Sequence, residues 1–192
     1  METILISGKS ASGKDTFANM IKDKLEAVGC NVLIIHFADL VKFYAKEYYN
    51  WNGIKDEAGR NLLQKLGTNL VREQFPDYWA ETIAKFLAVM NHYEEFDCAL
   101  IPDARFENEI ETVKYWLPNA ISIRIRRLNE DKTEYVNPAF SEEQLNHPSE
   151  TSLDDYCEFD YCVDNIGLKE LEESVEIILK LTGLLDEGEK ND

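Results

Sequence analysis

The chain has 192 residues, 44% of them hydrophobic and 30% charged, and its 37 acidic against 20 basic side chains give a formal charge of −17. That length suits one domain with a full hydrophobic core rather than two independent ones, and the composition is that of an ordinary globular protein. The acidic balance argues against long DNA or RNA as a partner, which needs a basic footprint, and no apolar run reaches the roughly 20 residues of a membrane span.

In chain order, "TILIS" (3–7) is a β-branched apolar run that predicts a first strand. It leads directly into "GKSASGKDT", after which Phe17, Met20, Ile21, Leu25 and Val28 recur at helical spacing and Gly29 stops the helix. "NVLIIHF" (31–37) predicts a second, buried strand, and the aromatic-rich "ADLVKFYAKEYYNW" (38–51) a helix. Two further helices, 59–74 and 77–93, part at Phe75-Pro76-Asp77, with Asp77 as the expected N-cap of the second. "DCALIPD" (97–103) is the third strand, followed by a helix through Trp116, a stop at Pro118 and a fourth strand at 120–126. The polar segment 128–158 carries Pro138 and Pro148, with a short helix expected at "SEEQLN" and a weak capping box at Ser152 and Asp155. "FDYCVD" (159–164) is the fifth strand, and 168–182 the last helix, ended by Gly183. The tail "LLDEGEKND" is expected to fray.

Strands alternating with helices predict a parallel sheet covered on both faces, with ligands at the carboxyl ends of its strands. Polar, chemically capable residues follow those ends at Gly8–Thr16, Ala38–Lys42, Asp103–Arg105, Arg126–Arg127 and Asn165–Gly167. The first group has the G-x-x-x-x-G-K spacing of a phosphate loop. A bare match arises by chance in roughly one chain in twenty of this length, but a strand before it and an amphipathic helix after it make the reading specific. The glycines let backbone N–H groups turn toward phosphates, the helix N-terminus adds positive potential, and Lys14 reaches the β- and γ-phosphates. Thr16 is placed near an α-phosphate. Asp15 stands where a magnesium-binding serine or threonine is usual. It has three readings: a magnesium ligand, directly or through water; a helix cap; or a contact to the acceptor.

Asp103 ends an apolar strand, a place suited to a second acidic residue for the metal or its water, and Arg105, Asn108 and Glu109 follow within six residues. All six arginines (Arg60, Arg72, Arg105, Arg124, Arg126 and Arg127) lie between positions 60 and 127, a cationic region suited to a small phosphorylated ligand. Arg124 and Arg126 share one face of the fourth strand, and Arg127 lies in the turn beyond it. Arginine at the mouth of an irregular segment suits closure over a transferring phosphoryl group. The aromatics around Asp39 and Lys42 read as core before base-stacking platform. Cys30, Cys98, Cys157 and Cys162 lack metal-ligand spacing and read as free thiols in a reducing compartment; with no secretory leader pattern at the start, a cytoplasmic location is expected.

The set "GKSASGKDT", "LLQKLGTNLVRE" with "PDYWAE", "PDARFENE", "HPSE" and "VDNIG" resembles the bacteriophage-type deoxynucleoside monophosphate kinases, over about residues 3–182. Phosphomevalonate kinases have a similar S-G-K-D loop. Ala104 and Glu107 depart mildly from the family's valine and proline. The resemblance implies a P-loop NTPase fold, a three-layer α/β/α domain with a five-stranded, mainly parallel sheet. Its core would be 1–37, 97–126 and 159–183, with a substrate-binding helical region at 38–96 and a lid at 127–158. It implies ATP and Mg2+ as cofactors, and transfer of the γ-phosphoryl group to a deoxynucleoside monophosphate. Gly8, Lys9, Ala11, Ser12, Gly13, Lys14, Asp15 and Thr16 would hold the ATP phosphates, with Asn165 and Gly167 near adenine and Arg126 or Arg127 from the lid. Asp39, Lys42, Arg72 and Arg105 become candidates for the monophosphate. The catalytic set would be Lys14, Asp15, Asp103, Arg105, Arg126 and Arg127, and the metal would fall to Asp15 and Asp103. A homodimer is compatible with the resemblance.

Competing readings are a kinase of another small phosphorylated acceptor (phosphomevalonate or dephospho-coenzyme A) and a nucleotide-binding module without catalysis. A GTP switch is disfavoured because "VDNI" lacks the lysine of N-K-x-D.

Overall fold

The computed structural model describes residues 1–185; most of the tail expected to fray lies outside the described residues. Strands β1 (Glu2–Ser7), β2 (Val32–Ile34), β3 (Cys98–Ala104), β4 (Ile121–Arg127) and β5 (Tyr161–Asn165) form one sheet in the order β2-β3-β1-β4-β5. Every neighbouring pair is parallel. The helices are α1 (Lys14–Ala27), α2 (Phe37–Tyr49), α3 (Glu57–Gln64), α4 (Tyr78–His92), α5 (Glu107–Trp116), α6 (Glu142–Leu145), α7 (Pro148–Thr151) and α8 (Leu168–Leu181). α3 runs on without a break into a π-helical stretch, Lys65–Arg72.

Period-two alternation sorts the strand side chains onto two faces. Ile4 and Ile6 of β1 and Leu100 of β3 pack against Phe17, Ile21 and Leu25 of α1 and against Leu171, Val175 and Leu179 of α8. Leu5 and Ile101 point to the opposite face, against Ile83 and Leu87 of α4 and Ile110 and Val113 of α5. These are the three layers expected from the alternating strands and helices. A third cluster (Val41, Ala45, Leu66 and Trp79) joins α2, the π-helical stretch and α4 beside the sheet. Among the described residues no helix is long and apolar enough to cross a membrane.

Several local expectations are corrected. The second strand stops at Ile34, and α2 begins at Phe37, because both oxygens of Asp103 accept the first free N–H groups of that helix, from Phe37 (2.9 Å) and Ala38 (3.0 Å). Asp77 stands at the start of α4 but makes no side-chain cap; its carboxylate accepts from Asn108 Nδ2 at 2.8 Å. Ser152 ends α7 rather than opening a helix, and it is His147 whose ring accepts the Ser149 N–H. The aromatic run of α2 is split: Phe37 is core, Tyr44 and Trp51 pack beside the third cluster, and Phe43 and Tyr48 are exposed. The short helix in "SEEQLN" forms as expected, with Ser141 accepting from the Gln144 N–H.

Candidate active site

The loop between β1 and α1 curls around the Lys14 ammonium. Its Nζ donates to the carbonyls of Gly8 and Lys9, both at 2.8 Å, and the side chain is buried. Gly13 opens α1 at φ 98°, and a Cβ there would stand 2.6 Å from Asn165 Nδ2, so the second glycine of the motif answers both a backbone and a packing demand. Gly8, at φ 153°, leaves no room either, since a Cβ would lie 2.5 Å from the Ile125 carbonyl. Asn165, at the end of β5, donates to the Ser12 carbonyl at 2.8 Å and so ties the loop to the strand end. The Ser12 hydroxyl is buried without a hydrogen-bond partner, an unused donor inside the loop. Burial first, and then the Arg105 guanidinium, push the Lys14 ammonium down to about 7 against the pull of Glu150, Asp15 and Asp103.

One cavity borders this loop, and a second lies beyond Glu150, whose carboxylate accepts the Ser10 N–H. The first, of about 420 Å³, is bounded by Ala11–Thr16, Arg127 and Asn165–Leu168. It gathers the loop backbone, the α1 N-terminus and the β5 end, so Thr16, Asn165 and Gly167 border one cavity. Arg127 donates to the Ala11 carbonyl at 2.9 Å, and its guanidinium lies 4.0 Å from the centre of the Tyr135 ring.

The other cavity, of about 620 Å³, lies between the α2–α4 region and the 140–150 segment. Phe37, Trp79, Phe106 and Phe140 give it apolar walls, and Lys42, Arg60, Arg72 and Arg105 bring cations to it. Arg72 leaves the end of the π-helical stretch to meet Glu109 Oε1 at 2.6 Å, and its guanidinium stacks 3.9 Å from the centre of the Phe106 ring. Glu109 is buried, and its second oxygen accepts the backbone N–H groups of Arg105 (2.7 Å) and Phe106 (3.1 Å). Burial raises its pKa, opposed by Arg72. Arg105 donates to Glu150 Oε1 at 2.7 Å and to the Ser149 carbonyl at 3.2 Å.

Between the cavities runs a chain of polar side chains. Asp15, exposed at the start of α1, lies 3.3 Å from His36 Nε2, and His36 Nδ1 lies 3.3 Å from Asp39 Oδ2. Lys42 completes it at 2.8 Å from Asp39 Oδ1. Burial works against the Asp39 carboxylate, but Lys42 and the His36 N–H outweigh it and lower its pKa. Burial also raises the pKa of Asp103, despite the donors at Ala38 and Phe37.

The remaining arginines of β4 have separate partners. Arg124 donates to Ser7 Oγ and Asp154, both at 3.1 Å, and Arg126 meets Asp164 of β5 at 2.7 Å across the strand pair. Lys9 of the loop is held by Glu134 (3.0 Å) and Asp154 (3.2 Å), both from the 128–158 segment. Three participants escape the sequence reading. His36 stands alone in sequence, Phe140 sits in irregular chain, and Glu150 lies in "HPSE", a motif visible in the sequence but without chemistry assigned from spacing.

No family model matches the chain, and no curated protein matches it in sequence. Among solved structures it is similar to a sugar kinase from Janibacter sp., at 15% identity with 95% of this chain and 94% of that chain covered and a TM-score of 0.55. An APS kinase from Mycobacterium tuberculosis in complex with AMPPNP and APS aligns at 13% identity, over 95% of this chain and 97% of that one, with a TM-score of 0.49. The five-stranded parallel sheet, with the G-x-x-x-x-G-K loop between β1 and α1, shares its fold with that sugar kinase.

Proposed function

We propose that the chain transfers the γ-phosphoryl group of ATP to the phosphate of a deoxynucleoside monophosphate, giving ADP and the diphosphate. The observation that carries this reading is the setting of Lys14. It is a buried ammonium inside a glycine loop that borders a nucleotide-sized cavity, with a second, aromatic-walled cavity, lined by both cations and carboxylates, reached through Glu150. The ATP phosphates would lie along Gly8–Thr16, where the unpartnered Ser12 hydroxyl and the α1 N-terminus await an anion. The adenine would lie toward Asn165 and Gly167. The acceptor phosphate would meet Arg105, Arg72 and Lys42, with its base among Phe37, Trp79, Phe106 and Phe140.

An oxygen of the acceptor phosphate attacks the γ-phosphorus, the bond to the β,γ-bridging oxygen breaks, and its electron pair leaves with ADP. The acceptor is already an anion, so no strong general base is needed; positioning and charge neutralisation supply the catalysis. Lys14 and Arg105 would neutralise charge at the reacting phosphate, with Arg127 next to the loop; Arg126, exposed and paired with Asp164, lines neither cavity. Asp15 and Asp103 fit Mg2+ as hard oxygen donors, since this ion uses one or two carboxylates beside phosphates and water. Each Asp103 oxygen accepts one N–H and keeps lone pairs free. Among the described residues no cluster of three metal-capable side chains exists, and such a cluster is not required here. When bound, the ion would neutralise the β- and γ-phosphate oxygens.

Phosphorus NMR of a reaction with ATP, Mg2+ and a deoxynucleoside monophosphate tests the reading. The expected result is a new diphosphate pair of resonances from the acceptor, together with ADP. Release of inorganic phosphate alone, with every acceptor unchanged, would contradict it.

A further inference from the structure

The 128–158 segment places a carboxylate at the meeting point of the two cavities. Glu150 Oε2 accepts the Ser10 N–H of the phosphate loop at 2.6 Å, while Oε1 accepts from Arg105 Nη1 at 2.7 Å. Its side chain is 9% exposed, and it lies close enough to pull on the Lys14 ammonium. An anion thus bridges a loop amide and an arginine of the larger cavity, near the loop lysine, where a transferring phosphoryl group would find its donors. Glu150 lines the larger cavity and not the smaller one, so it lies on the acceptor side of the loop. In the binding pose proposed above, the terminal phosphate of ATP would be the one to reach that side. The segment is fastened at a second point by Lys9 with Glu134 and Asp154, and at a third by Arg124 with Asp154, so the carboxylate is held in place rather than dangling.

We propose that Glu150 is a positioning residue that keeps the place of the γ-phosphoryl group until nucleotide binds, and that ATP must displace it. This inference rests on the phosphoryl-transfer reading above. Displacement releases Arg105 from its internal partner at the moment the terminal phosphate arrives, so one movement assembles the acceptor side of the site. With Glu150 in place, Arg105 is neutralised and the loop amide is occupied. A carboxylate and a γ-phosphate cannot share these donors, because both are anions that need the same N–H groups.

The test compares ADP with a non-hydrolysable ATP analogue by calorimetric titration of the wild type and Glu150→Gln. The amide keeps the shape and an acceptor for the Ser10 N–H but removes the competing charge. The analogue should bind about tenfold more tightly to the variant, the effect of losing one charge-assisted contact. ADP, lacking the γ-phosphate, should change by less than about twofold. Glu150→Asp keeps the charge but is too short to span both partners, and should give an intermediate gain for the analogue alone. Equal gains for ADP and the analogue, or unchanged or weaker binding of the analogue, would overturn the proposal while wild-type binding leaves the phosphate-loop reading standing. Failure of the wild type to bind either nucleotide would overturn both. Thermal melts of the three proteins exclude a misfolded variant.

Discussion

Nucleotide binding should take up a proton above neutral pH, and Lys14 sets the amount. In the empty loop its ammonium is held at about 7, against 10.5 in an unfolded chain, because burial removes water from the charge. Between those two values the folded protein binds fewer protons than the unfolded chain. The Lys14 charge therefore opposes folding below about pH 7, and the penalty fades as the pH rises towards 10.5. A polyphosphate placed against Nζ reverses the balance by stabilising the charged form. At pH 8 the empty enzyme carries only about a tenth of a charge at Lys14, so binding should take up about 0.9 proton. At pH 6 the lysine is already about nine-tenths charged, and its uptake should fall to about 0.1. Calorimetric titration with a non-hydrolysable ATP analogue, in buffers of differing ionisation enthalpy at each pH, measures the uptake directly. The same series with Lys14→Arg, whose charge is permanent, subtracts the contribution of the nucleotide's own phosphates. A difference between wild type and variant that is flat from pH 6 to 8 would refute a depressed Lys14 inside the phosphate site.

Three substitutions probe the supporting geometry. Gly13→Ala forces a side chain into a left-handed position 2.6 Å from Asn165 Nδ2 and should cost about 1–3 kcal/mol of stability, with loss of nucleotide binding; denaturant unfolding and a binding titration check both. Glu109→Gln leaves the Arg72 guanidinium without its buried counter-charge, so the protein should lose about 3 kcal/mol and melt about 6–12 °C lower, while the KM for the acceptor rises more than that for ATP. Asp103→Asn removes one of the two acceptors at the start of α2 and should lower the melting temperature by about 2–8 °C; a fall in kcat far beyond that of an equally destabilised Asp77→Ala control would mark a direct role for Asp103 at the reacting phosphates.

What the sequence discloses is what local pattern decides. The loop was legible because a strand, two glycines at fixed spacing and an amphipathic helix are consecutive, and each imposes its own periodicity. The parallel sheet followed from apolar runs separated by helical stretches, and the strand ends gave the candidate site its place in that sheet. Pairings across the chain were not legible. Asp103 shortens β2 by capping a helix that starts 66 residues earlier, and Arg105 finds its anion 45 residues downstream at Glu150. Likewise Asp77 looked like a helix cap, but the amide of Asn108 reaches it from 31 residues away and takes the carboxylate. No spacing rule foresees such contacts, because they depend on how the 128–158 segment and the α2–α4 region lie over the sheet.

The rate of ADP formation from ATP and Mg2+, measured against each deoxynucleoside and ribonucleoside monophosphate and against phosphomevalonate and dephospho-coenzyme A, tests the central claim most directly. A deoxynucleoside monophosphate should accelerate ADP release by orders of magnitude over the acceptor-free rate, and Lys14→Ala should abolish the acceleration. Acceleration by none of the nucleotides, or full acceleration in Lys14→Ala, would contradict the account.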